Sequence, residues 1–189
     1  IHPHWRLVSL WRQCFTHFSL YLKGREEVLV TVYHGATSPQ ASPPFGMVGM
    51  GANTLPPASP ATREMGIDIP GETMFLVGAY ARYSCPYVWL RSNLRKLKSQ
   101  EERDLPLDLP STQRWVDGGI HVWDIVEELV IMNVFPSPHN PYEINFGALS
   151  NMPILERAMQ AGALAAFLKI LYIKECPYLR YIQDDLSRL

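Results

Sequence analysis

His121, Asp124 and Glu128 stand at i, i+3 and i+7, a spacing that on an α-helix aims one imidazole and two carboxylates to the same side. A divalent metal takes such donors, but no second cluster supplies its remaining ligands. The plainer reading is the solvated acidic face of an amphipathic helix. His2 and His4 lie at a chain end, where a site is seldom built. Gly46, Gly49 and Gly51 reverse the Gly-x-Gly-x-x-Gly order, and Asn-Thr-Leu-Pro-Pro follows where a helix would have to offer its amides to a phosphate. No Gly-x-Ser-x-Gly elbow is present, and Cys85 and Cys176 each precede a proline with no histidine close by. These residues predict no catalytic centre, no cofactor and no metal, and the chain reads as a non-enzyme.

Three other features suggest contact surfaces. Arg82, Arg91, Arg95, Lys96 and Lys98 form an acid-free basic run interleaved with Tyr83, Tyr87 and Trp89; cations and rings so mixed can hold a phosphate backbone and stack bases. Residues 6–22 place Trp11, Phe15, Phe18 and Leu22 on one side of a helix, with no acid before residue 26. That is the composition of an interfacial helix facing lipid head groups or another subunit. Lys169 projects from an otherwise apolar helix, where it is expected either to be buried and paired with a carboxylate or to snorkel to water.

The elements that would position these groups follow from periodicity. Helices are predicted over 6–22, 84–98, 120–135, 152–175 and 178–189, and a short strand over 27–33, with 74–80 as its candidate partner. Helix 152–175 is expected to turn Glu156, Arg157, Gln160, Lys174 and Glu175 to water, with its middle deeply packed. Residues 34–72 hold seven prolines and six glycines and read as a long extended arm, beyond the usual length of a loop in a compact domain. The predicted fold is therefore mainly α, a small irregular helical domain with at most one short strand pair. The chain divides into 1–33, the Pro/Gly-rich arm 34–72, and a helical domain 73–189.

Composition narrows the function. Of 189 residues 47% are hydrophobic and 19% charged, enough apolar material for a core. Residues 1–98 carry ten Lys and Arg against five Asp and Glu, and 99–189 carry seven against thirteen. The balanced total disfavours general nucleic-acid binding. Solitary Cys14, Cys85 and Cys176 suit a reducing, intracellular compartment; the first residue is Ile1, not Met, which reads as a processed or trimmed end, and no apolar run is long enough to span a membrane.

In build the chain resembles accessory subunits of respiratory-chain complexes, ATP synthases and mitochondrial ribosomes. That resemblance implies a non-catalytic structural subunit of a mitochondrial, inner-membrane-associated assembly. Its partners would be other protein subunits through the arm and apolar helix faces, with lipid head groups at the first helix. The alternatives are an RNA-contacting subunit using 82–98, and an enzyme of an unrecognised family.

Overall fold

Residues 27–33 (EVLVTVY) are rich in β-branched side chains and too short to be stable as a lone strand, so their backbone groups need neighbours on both sides. They find two. The computed structural model describes residues 14–35, 70–92, 105–174 and 176–189. In it β2 (Glu27–Tyr33) lies between β1 (Phe18–Leu22) and β3 (Glu72–Gly78), and β4 (Tyr87–Leu90) completes the sheet beyond β3. All pairings are antiparallel, in the order β1-β2-β3-β4. Phe18 stands opposite Val32, Val30 opposite Phe75, and Phe75 opposite Leu90.

Side chains alternate across a strand, and this register gathers Phe18, Val30, Val32, Phe75, Val77, Val88 and Leu90 into the core. Among the described residues five α-helices follow: α1 (Pro110–Gln113), α2 (Val122–Asn133), α3 (Phe146–Ser150), α4 (Ile154–Ile173) and α5 (Leu179–Arg188). Gly118 and Gly119, both at positive φ, lead into α2. α2 packs on β2, and α5 packs on α4. Leu129, Val130, Leu164, Leu168, Leu171 and Ile182 meet the strand residues in one apolar core.

The result is a mixed α/β fold with a four-stranded sheet, which corrects the expectation of a mainly α chain with at most one short strand pair. Two predicted helices account for the difference. Over 14–22 the chain is not helical: Phe15 bridges to Ile144 and 18–22 is β1. Phe15, Phe18 and Leu22 fit a helical stripe, yet Phe18, Leu20 and Leu22 also fit a period of two. The open edge of β2 decides between them, because only the strand pairs its backbone groups. Gly24 lies in the β1–β2 turn, where Lys23 N donates to Glu27 O at 3.0 Å. Residues 87–90 (YVWL) likewise form a strand, not the start of a helix over 84–98. Residues 6–13, 36–69 and 93–98, including Trp11 and most of the expected arm, lie outside the described residues.

His17 fastens this entry segment. Its Nε2 lies 3.1 Å from Glu143 Oε2, and Thr16 N donates to Glu143 O at 2.8 Å. Burial pushes the imidazole below its ordinary 6.5, more than the Glu143 carboxylate and its hydrogen bond pull it back up. The unfolded chain therefore binds the proton more readily. Stability is expected to fall as pH drops below 6.5 towards the folded value. Urea unfolding at stepped pH should show this slope in the native chain and a shallower one in His17→Gln.

Candidate functional site

His121, Asp124 and Glu128 each take a separate role in the fold. His121 precedes the first turn of α2, and its backbone N donates to Asp124 Oδ2 at 2.5 Å, a carboxylate reaching back over an open helix end. Glu128 Oε2 accepts from Ser111 N at 3.0 Å, tying α1 to α2. The His121 ring stacks on Trp123 with centroids 4.3 Å apart, and Lys174 Nζ lies against that imidazole and 5.3 Å above the Trp123 ring. Burial pushes the Asp124 carboxyl above its ordinary range, with Arg114 opposing. Among the described residues no three His, Cys, Asp or Glu side chains are disposed to hold a metal ion.

Glu127 is the centre of a polar knot. Tyr142 Oη donates to its Oε2 at 3.0 Å, and Tyr178 Oη donates to its Oε1 at 2.8 Å. The Tyr142 hydroxyl also lies 2.9 Å from Trp123 O. Burial first, then the Glu127 charge, push both phenols well above the ordinary tyrosine range. Burial likewise raises the Cys176 thiol beside them. Phenols and a thiol held protonated are poor bases and nucleophiles, so this arrangement serves to clamp α2, the 140–145 segment and the α4–α5 joint together.

Over residues 80–91 the cations and rings of the basic–aromatic segment contact one another. Arg82 lies 5.0 Å above the Tyr83 ring and Arg91 lies 5.9 Å from Trp89. Tyr83, Tyr87, Trp89 and Tyr80 stack on or abut one another with centroids 5.5–6.4 Å apart. Trp89 and Arg91 are buried. Among the described residues of the segment, Arg82 is exposed and Tyr83 and Tyr87 are half-buried. Arg95, Lys96 and Lys98 lie outside the described residues.

Phe15 and Phe18 belong to the core and Leu22 is half-buried. The lipid contact expected of a helix here thus loses the face that was to make it, while Trp11 lies outside the described residues. No helix among those residues is long and apolar enough to cross a membrane.

α4 is the larger correction. Of its expected polar side, Gln160 alone among the described residues turns inward, buried and accepting from Cys14 Sγ at 3.3 Å; Lys174 is exposed, as expected. Glu156 and Arg157 stay exposed because residues 153–159 are exposed on every side. Lys169 is exposed, not buried, while its neighbours Phe167 and Leu168 face the core. Burying Leu164, Phe167, Leu168 and Leu171 removes more apolar area from water than burying Gly162 and Ala166. The bulkier side therefore wins the core. What is left outside is still apolar: Leu155 is 74% exposed, Met159 49% and Ile173 78%. This face was not among the expected surfaces, and its signal in the sequence is an apolar helix too rich in small residues on one side.

Residues 59–189 match the family model of a domain of unknown function, DUF7886. The chain belongs to that family. The matched segment takes in β3, β4 and all five helices and begins after β2. No curated protein and no solved structure matches the chain.

Proposed function

We propose that the protein is a non-catalytic structural subunit that docks on other protein chains through the outward face of α4. One observation supports this reading above the rest. A helix with a fully formed inward face carries a second apolar face, including Leu155, Met159 and Ile173, open to water. Contiguous apolar patches of several hundred Å² on soluble proteins mark interaction sites. The polar knot at Glu127 fits the same reading, since it holds α2 and the α4–α5 joint in a fixed relation.

Met159→Glu tests it. The position is exposed, so the variant is expected to keep its far-UV circular dichroism and to change in stability by no more than about 0.5 kcal/mol. In native extracts the tagged chain should migrate well above its 21.5 kDa, and the variant should lose that association. Unfolding of the variant, or association unaffected by it, counts against the reading.

A further inference from the structure

The outward residues of α4 are Leu155, Met159, Gly162, Ala166, Lys169 and Ile173, following one another at intervals of four, three, four, three and four. All six are exposed. Alternating steps of three and four are the a and d positions of a heptad, the seam along which two helices pair. We propose that this seam pairs with the same seam of a second copy of the chain, antiparallel, about a two-fold axis level with residue 164. The inference rests on the docking reading above and names its partner.

Self-complementarity is the first argument. A two-fold interface requires each residue to meet an acceptable mate in its own sequence read backwards. Counting outward from 164, Gly162 falls level with Ala166, Met159 with Lys169, and Leu155 with Ile173. Small meets small at the centre, and large apolar meets large apolar at both ends. Built in isolation, a Cβ on Gly162 would meet nothing within 4 Å, so the centre is open to the close approach of another helix. The Lys169 stem can lie along Met159 of the other copy with its ammonium in water.

Charge selects the antiparallel sense. Lys169 is the only ionised residue of the seam. In a parallel pair the two ammoniums would face each other directly. In the antiparallel pair they are ten residues apart along the axis, roughly 15 Å, which exceeds the Debye length of about 10 Å at 0.1 M salt.

The apolar ends of the seam are open to water: Leu155 is 74% exposed at one end and Ile173 78% at the other, with Met159 at 49% between them.

A charge-reversal rescue on the full chain decides the matter, read by sedimentation velocity across the micromolar range. The native chain should be a dimer. Leu155→Asp and Ile173→Lys, each appearing twice in the interface, should each raise the dissociation constant by on the order of a hundredfold. Leu155→Asp with Ile173→Lys in one chain should restore the dimer, because Asp at 155 then faces Lys at 173 of the other copy. Within one helix the two positions are about 27 Å apart and cannot pair. Gly162→Leu gives a second reading of opposite sign: it should raise thermal stability of the monomer, since glycine is a poor helix former, yet weaken dimerisation.

A native monomer, a dimer indifferent to the single changes, or a double variant no better than the singles would each overturn the proposal. A monomeric native chain whose association in extracts is still abolished by Met159→Glu removes the second copy but leaves the docking function standing.

Discussion

Phe15→Ala is expected to destabilise the fold by about 3–5 kcal/mol, the usual loss for a buried phenylalanine. At this chain length that corresponds to a fall in melting temperature of roughly 6–20 °C. Phe15 is 2% exposed, stacks on Phe18 with centroids 4.5 Å apart, and meets Phe167 edge-on at 5.9 Å. It is the point where β1, the 143–145 segment and α4 converge. Alanine keeps the backbone bridge to Ile144, so the loss reports the ring alone. A residue facing lipid or another subunit would behave in the opposite way, with folding intact and association reduced. Thermal unfolding and chemical denaturation separate the two. A change under about 1 kcal/mol would contradict the core placement.

Tyr142→Phe should give the second large effect, a loss of about 1.5–3 kcal/mol, the range for a hydrogen bond to a charged acceptor. The ring stays, so packing against Phe167 and Tyr178 is preserved. What goes is the hydroxyl held by Glu127 Oε2 and Trp123 O. Combining Tyr142→Phe with Glu127→Gln should show non-additivity, because each change weakens the same bond. Additive losses would mean that the knot is not a unit.

The pH dependence has a definite sign. Unfolded tyrosine ionises near 10, while the folded Tyr142 and Tyr178 hold their protons further up the scale. Above pH 10 the unfolded chain thus binds fewer protons than the native one, and stability is expected to fall as pH rises. The fall should be shallower in Tyr142→Phe. An unchanged alkaline slope would show that the phenol is freely ionisable in the fold.

Strand 27–33 and the helices at 122–133, 154–173 and 179–188 were legible in the sequence because each carries one unambiguous signal. A run of β-branched residues suits only a pleat. The three helical stretches are long and bounded by Gly118-Gly119, Pro136, Pro153 and Pro177. Residues 18–22 and 87–90 were not legible, since a short run of apolar residues satisfies the periods of both helix and strand. Their state was settled by edges of β2 and β3 that lie elsewhere in the chain.

The candidate surfaces divide along the same line. That α4 is apolar almost all round was plain from composition. Which side it would bury was not, because a helix apolar on both sides has no preferred face until a sheet and neighbouring helices offer it a volume to fill. The core took Leu164, Phe167, Leu168 and Leu171, accepted Gln160 with a hydrogen bond from Cys14, and left Leu155, Gly162, Lys169 and Ile173 outside. Glu127 follows the same rule. Its carboxylate was visible in the sequence, but only tertiary packing brings Tyr142 and Tyr178 to it from 15 and 51 residues away.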